Sequence, residues 1–332
     1  MTYQLLTALT GGWILDLMLG DPARLPHPVV FMGKWIAWGE RKLNNGSWRT
    51  AKGAAFTIVS ILLVFALTWL VLHGMTAAGK LLSHGCGTVV ECIKTLLMTV
   101  LVFFCLAGKT LRNEVKMVFT ALERGIEDGR KQVARIVGRD TQQLSKNEVA
   151  TAALETLAEN LSDGVVAPLF WLCLSGVPGM IAYKMVNTFD SMIGYKTERF
   201  KRFGCWAAHI DDIANYIPAR VTALLIDIMG WIYTYTNKNT ARRKLHVIIR
   251  QTLHFADHHA SPNSGWPEAA LSSVLDCRFG GTHNYFGKSF YKPFIGTNPR
   301  PLTLSDMRAS IRICLMAEAA GIAIAAAIVI LA

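Results

Sequence analysis

An all-α, polytopic integral membrane protein, with broken or re-entrant helices and cytoplasmic amphipathic helices, is the fold class this sequence predicts. Three observations predict it. Of the 332 residues, 52% are hydrophobic and only 17% charged, with a mean hydropathy of +0.32, whereas soluble domains carry about 25% charged residues. Residues 53–75 run for more than twenty positions without Asp, Glu, Lys or Arg, enough to cross ~30 Å of hydrocarbon. Residues 165–183 are equally uncharged but carry Pro168, Gly176, Pro178 and Gly179, and a broken helix is tolerated at membrane depth only where it is buried or lines a cavity. The net charge of +11 fits the Lys/Arg excess of cytoplasmic loops and not a nucleic-acid partner. The seven cysteines are odd in number and form no CxxC pair, which argues against a disulfide framework or a zinc site.

In order along the chain, 3–19 is predicted as the first membrane helix, its end carrying Asp16 inward. It lacks the basic n-region and small-residue cleavage site of a signal peptide. Gly20 to Val29 holds three prolines in seven residues and must be a rigid, non-helical loop. That loop is either a connector or a rim aiming Asp21, Arg24 and His27 at a ligand. The crossings 53–75 and 93–108 follow. The basic segments 34–52 and 109–146 are assigned to the cytoplasm and 76–92 to an external loop. Gly74 to Lys80 matches the opening of a phosphate-binding P-loop, but Leu81 stands where Ser or Thr is needed and no strand precedes it; that match is rejected.

From Arg112 to Gly138, apolar residues recur at helical spacing between mixed charges. The pattern predicts one surface amphipathic helix, or two broken near Gly125–Gly129. Residues 148–164 are rich in helix formers, and Glu155, Glu159 and Asp163 fall on one face. Such a row of like charges costs stability unless a cation meets it, which suggests Mg²⁺ or a substrate amine.

The stretch 187–220 concentrates Asp190, Lys196, Glu198, Arg199, Asp211, Asp212, Asn215 and Arg220 between two apolar segments, where ionisable groups are costly and face a cavity or partner. Asp211 and Asn215 share a helical face, as do Asn187 and Asp190. Carboxylates with nearby cations are what a magnesium–phosphate site requires, and Arg220, just past Pro218, falls at a membrane-helix N-terminus. After the crossing 217–235, the basic run from Lys238 to Arg250 reads as a juxtamembrane anchor. Turn-rich loops at 257–270 and at 280–287 offer backbone N–H groups to phosphate. Adjacent His258 and His259 point apart on regular structure and do not make a zinc site. A final crossing covers 309–331, giving six segments in a single membrane-embedded domain over 1–332.

The motifs GDPARLPHPV, ENLSDGVVAPLF, NTFDSMIGYKTERF, DDIANYIPARVTALL, HASPNSGWPEAAL and GGTHNYFG occur in that order over nearly the whole chain. Together they resemble the adenosylcobinamide-phosphate synthase family of cobalamin biosynthesis (CobD/CbiB). One departure is His209, where the family pattern has Arg. The resemblance implies a multi-pass ligase of the bacterial inner membrane with its active site facing the cytoplasm. Its substrates would be a propionate carboxylate of adenosylcobyric acid and (R)-1-amino-2-propanol phosphate, or free aminopropanol, with ATP as co-substrate and Mg²⁺. Its neighbours would be the lipid bilayer, a second copy of the chain or other membrane-bound enzymes of the pathway, and no nucleic acid.

Amide formation from a carboxylate requires activation, most simply as an acyl phosphate, and therefore Mg²⁺, phosphate-neutralising cations and a base. By residue type, Asp190, Asp211, Asp212 and Glu159 are the catalytic candidates, and Glu155, Glu159, Asp163, Asp190 and Asp212 the metal ligands. Lys196, Arg199 and Arg220 would hold phosphates, while His27, Ser261 and Asn263 would face a nucleotide or the aminopropanol phosphate. Two other classes compete on residues alone. Asn187-x-x-Asp190 with Asp211-Asp212 loosely resembles the acidic motifs of intramembrane prenyltransferases. A corrinoid transporter would explain intramembrane charges, but not loops shaped for phosphate.

Overall fold

The computed structural model describes residues 2–21, 27–237, 241–285 and 288–332; Arg24, Lys238 and Gly287, named above, lie outside them. The chain is all-α apart from one hairpin. Its helices are α1 (Thr2–Leu19), α2 (Pro28–Leu43), α3 (Arg49–Leu81), α4 (His84–Cys105), α5 (Gly108–Arg124), α6 (Ile126–Val133) and α7 (Lys146–Leu161). After a π-helical turn at Ser162–Val166 come α8 (Ala167–Ile193), α9 (Cys205–Ala214), α10 (Tyr216–Thr236), α11 (Leu245–Phe255), α12 (Gly265–Leu275) and α13 (Leu304–Leu331). Strands β1 (Phe279–Tyr285) and β2 (Lys288–Ile295) pair antiparallel.

Five helical stretches among the described residues are long and apolar enough to cross a membrane: Arg49–Leu81, Gly85–Arg124, Lys146–Ile193, Tyr216–Thr236 and Leu304–Leu331. The protein is therefore a multi-pass membrane protein. The first expected segment, 3–19, is helical as α1 but is not among those five. The external loop expected at 76–92 is instead two helix ends, α3 continuing to Leu81 and α4 starting at His84. One polar contact ties the two helices, Lys94 Nζ of α4 donating to Thr76 Oγ1 of α3 at 2.9 Å, and Lys94 also lies 2.6 Å from Glu91 on its own helix. Gly74 to Lys80 is thus plain helix, as expected of a chance P-loop match.

The chain divides into two compact units. The first comprises Met1–Ala107, Ala167–Asn215 and Ile322–Ala332. Here α3 presents Val59, Leu62 and Leu70 outward, each 61% exposed, as a lipid-facing stripe requires. Its opposite face packs inward, with Phe56 edge-on to Phe189 at 5.4 Å. The broken helix expected at 165–183 is observed: α8 leaves helical geometry at Ser175 and Gly176. Gly176 adopts φ +65°, a conformation glycine reaches without a Cβ penalty. The break precedes Pro178, which has no N–H to give a continuous ladder.

The second unit comprises Gly108–Val166 and Tyr216–Gly321. The amphipathic segment is two helices, α5 and α6, separated at Gly125. Val115, Val118, Phe119 and Leu122 are buried, so the apolar face packs on protein. Helix α7 starts with a reciprocal cap: Ser145 Oγ accepts from Glu148 N, and Glu148 Oε2 accepts from Ser145 N. Its residues from Val149 to Ala158 are all buried, which makes it the axis of this unit. Arg112 and Glu318 form a buried ion pair between α5 and α13.

Candidate active site

Helix α7 carries Glu155 and Glu159 one turn apart, so both side chains leave it on the same side. Three other segments of the second unit meet them there. The first is the connection after α6, which supplies Arg139. The second is the turn leading into α12, where Ser264 Oγ donates to Glu159 Oε1 at 2.8 Å. The third is the hairpin, which supplies Lys292 from β2. Arg139, Glu155, Glu159 and Lys292, together with His259 and Glu268, line a cavity of about 170 Å³.

Glu155 is 4% exposed and its carboxylate accepts three bonds from three segments. Arg139 Nη2 donates to Oε2 at 2.6 Å, while Gly280 N and Lys292 Nζ donate to Oε1 at 2.9 and 3.1 Å. The Gly280 contact depends on local backbone geometry. Gly280 has φ +85° at an irregularity between Phe279 and Gly281, and a Cβ there would come within 2.4 Å of Pro293 O. Only glycine fits, and the bulge turns its N–H out of the ladder toward Glu155.

Lys292 Nζ also donates to both oxygens of Glu268, at 2.9 and 2.7 Å. Glu268 is 1% exposed and stands in the first turn of α12, where the helix dipole favours an acid. Burial pushes its carboxyl up to about 8, an effect that Lys292 opposes and that Glu155 and Glu159 reinforce. Burial alone would lower the Lys292 ammonium, but Glu155 and Glu268 outweigh it and hold the lysine charged. His259 Nδ1 accepts from Ser261 N at 2.8 Å, so the neutral ring carries its proton on Nε2, which lies 3.8 Å from Glu268 Oε1. Burial and the Lys292 charge lower the imidazole below its ordinary value. Three carboxyls thus face two fixed cations and a neutral histidine. Among the described residues, Glu159 is in no ion pair.

The remaining sequence candidates distribute as follows. Ser261 and Asn263 lie in the turn before α12, but its backbone N–H groups are spent within the turn. Ser261 Oγ accepts from Asn263 N and Ser264 N, and Asn263 O from Trp266 N. Of the stretch 280–287 expected to cradle phosphate, residues 280–285 belong to strand β1 instead, and Phe286 and Gly287 lie outside the described residues. Asp163 sits in the π-helical turn after α7 and does not line the cavity. Arg220 stacks over Tyr216 at 3.5 Å and Trp266 at 4.6 Å, and donates to Tyr216 O.

The other candidates belong to the first unit. Tyr183 Oη donates to Asn215 Oδ1 at 2.8 Å, and Asn215 Nδ2 to Asp211 Oδ2 at 3.0 Å, so Asp211 and Asn215 share a face as their spacing predicts. Asp212 is raised above the ordinary carboxylate range by burial, with His209 and Lys196 acting against the shift. Asp190 lies at the end of α8 against Gly194, where a Cβ would meet its Oδ1. Arg199 grips Glu40 with two bonds of 2.9 and 2.7 Å, and that contact holds Glu40 below its ordinary value. His27 caps α2, its Nδ1 accepting from Val29 N. Among the described residues no group of three or more His, Cys, Asp or Glu side chains is arranged to hold a metal by itself.

Arg139, His259, Glu268 and Lys292 are the site residues that sequence reasoning missed. His259 and Glu268 carried a signal, as the first residue and the acid of the HASPNSGWPEAAL motif; Arg139 and Lys292 carried none.

A family model described as CobD/Cbib protein matches residues 9–314. The chain is 40% identical over 306 residues to the "Cobalamin biosynthesis protein CobD" of Geobacter metallireducens, covering 92% of this chain and 91% of that one. It is 38% identical over 307 residues to the protein of the same name from Halalkalibacterium halodurans, with the same two coverages. The Brucella suis protein of that name is 37% identical over 343 residues, covering 98% and 97%. No solved structure matches.

Proposed function

The chain belongs to the CobD/Cbib family, a family of cobalamin biosynthesis, and from that premise we propose that it is an ATP- and Mg²⁺-dependent amide ligase, an adenosylcobinamide-phosphate synthase. It would join a propionate carboxylate of adenosylcobyric acid to the amine of (R)-1-amino-2-propanol phosphate, or of free aminopropanol. The observation that carries this reading is the cavity formed by Arg139, Glu155, Glu159, His259, Glu268 and Lys292.

Forming the amide bond places two demands on the protein. A carboxylate oxygen must leave carrying negative charge, and the attacking nitrogen must lose a proton. Lys292 and Arg139 are fixed positive charges in a setting of low exposure, where such charges act strongly on developing negative charge. Glu268, titrating near 8, is matched to taking a proton from an amine close to neutral pH. His259, with its proton on Nε2, orients toward the same carboxyl. At about 170 Å³ the cavity is below the ~300–1,000 Å³ of whole-ligand pockets. It suits the reacting ends of the substrates and not a whole nucleotide or corrinoid.

The residues fit Mg²⁺ in one way only. This ion takes one or two carboxylates together with phosphate oxygens, and Glu159, in no ion pair among the described residues, is the carboxylate that could serve. A cage made wholly of protein side chains is not built here. When bound, Mg²⁺ would supply charge neutralisation at the transferring phosphoryl group. On the same reading Asp212, which feels the charges of His209 and Lys196, and the first-unit acids Asp190 and Asp211 would serve in handling phosphate. The protein would lie in the bacterial inner membrane with its cavity open to the cytoplasm, beside the lipid bilayer and other membrane-bound enzymes of the pathway or a second copy of itself.

The test is amide formation by the purified, detergent-solubilised protein, read by mass. Product that requires Mg-ATP and is lost in Glu268→Gln supports the ligase. Absence of product, with both organic substrates shown to bind, overturns it.

A further inference from the structure

A second cavity, of about 460 Å³, opens in the first unit where α3 begins. It is lined by Trp48, Arg49, Thr50, Ala51, Arg202 and Trp206. Both charged residues in that lining are cationic. Nε of Arg49 is buried and, among the described residues, meets no acceptor. A buried guanidinium N–H without a partner is costly, and its fork matches the oxygens of a phosphate. The backbone adds to this. Trp48 precedes α3 in the left-handed conformation, φ +66°, and gives the helix no side-chain cap. The first-turn N–H groups of a 33-residue helix therefore lie along the lining without a cap, and helix starts favour anions.

Depth identifies the kind of anion. Arg49 stands four residues before Gly53, where the uncharged run of α3 begins, and four residues of helix rise ~6 Å. The headgroup layer outside the hydrocarbon is of that thickness, since ~30 Å of core widens to ~40–45 Å with both headgroup regions. Trp48 and Trp206 are 76% and 45% exposed, the disposition of tryptophans that sit at the headgroup level. A left-handed tryptophan is unusual for a bulky residue, and here it keeps the ring at the rim of the cavity.

We propose that this cavity binds the phosphate of an anionic phospholipid headgroup, with Arg49 and Arg202 holding the phosphate and the two tryptophans flanking the acyl-chain attachment. The site has no part in the amide chemistry and stands independently of it.

The experiment is native mass spectrometry of the full chain in detergent, titrated with phosphatidylglycerol, with phosphatidylcholine of the same acyl chains, and with sn-glycerol 3-phosphate. The wild-type chain is expected to retain one phosphatidylglycerol in preference to phosphatidylcholine, and glycerol phosphate is expected not to displace it. In the double variant Arg49→Ala/Arg202→Ala that binding should weaken roughly 30-fold, about fivefold for each surface cation. Arg41→Ala/Lys42→Ala, which alters cations outside the cavity, should leave it intact. Equal binding of the two lipids, or equal losses in the two double variants, would overturn the proposal. Displacement by glycerol phosphate at matched concentration would overturn the lipid assignment in favour of a soluble phosphate ligand. These wild-type comparisons decide the question even if the double variant does not fold.

Discussion

Lys292 donates to both oxygens of Glu268, at 2.9 and 2.7 Å, joining a hairpin strand to the first turn of a helix. The same ammonium reaches Glu155 at 3.1 Å. One lysine therefore meets two buried acids, and at Glu155 it supplies, with Arg139, the cation that the acidic row of α7 was expected to need.

Removing that lysine should be costly. Deleting one partner of a buried pair destabilises by about 3–5 kcal/mol, so Lys292→Met is expected to lower the thermal midpoint sharply in detergent. Glu268→Gln keeps the shape and one acceptor, and should melt closer to wild type while turnover falls roughly 100-fold or more. Thermal unfolding and product assays on the same preparations check both.

Glu268 also sets a pH dependence. Burial raises it from 4.5 to about 8, so between those values the folded chain keeps a proton that the unfolded chain has released. Stability from this group is therefore present at low pH and is lost as pH rises toward 8. Turnover should move the other way, rising through a pH of about 8 as the base deprotonates. Midpoints and rates measured from pH 6 to 9 should show these opposed slopes, and both should flatten in Glu268→Gln.

Gly280→Ala should damage the site from the backbone. A Cβ would sit 2.4 Å from Pro293 O in a residue at φ +85°, and strain of that kind costs about 1–3 kcal/mol. The N–H given to Glu155 would move with it. Loss of turnover together with a lower midpoint is expected, whereas an unchanged rate would remove the Gly280–Glu155 bond from the reading.

The acids of the first unit give a separate test. Asp190→Asn and Asp212→Asn are each expected to lower turnover at least 100-fold with little change in thermal midpoint. Wild-type rates in both would exclude them from the phosphate-handling role.

The all-α membrane class was legible because long uncharged runs such as 53–75 have no soluble explanation. The break at Gly176 was legible from Gly and Pro at membrane depth. The pairing of Glu155 with Glu159 followed from their one-turn spacing. Their partners were not legible, because Lys292 lies 137 positions from Glu155 and no local period connects them. The hairpin was missed for a related reason. Gly280 and Gly281 read as a loop shaped for phosphate, and the backbone irregularity they build shows only once β2 pairs with β1. The loop expected at 76–92 failed because its Thr, Ala and Lys residues continue a helix once Lys94 and Thr76 bond across α3 and α4.

The threefold grip on Glu155 also constrains how the protein is made. At ~5–20 residues per second, the ribosome needs roughly 7–30 s to move from Glu155 to Lys292, 137 positions later. Throughout that interval Arg139, made before Glu155, is the one member of the grip already present, and it answers one carboxylate oxygen while the other awaits Gly280 and Lys292. Burial of α7 to its final depth is therefore completed late, when the hairpin arrives. A chain cut short before residue 280 would keep the Arg139 pair and lack the two bonds that the hairpin gives.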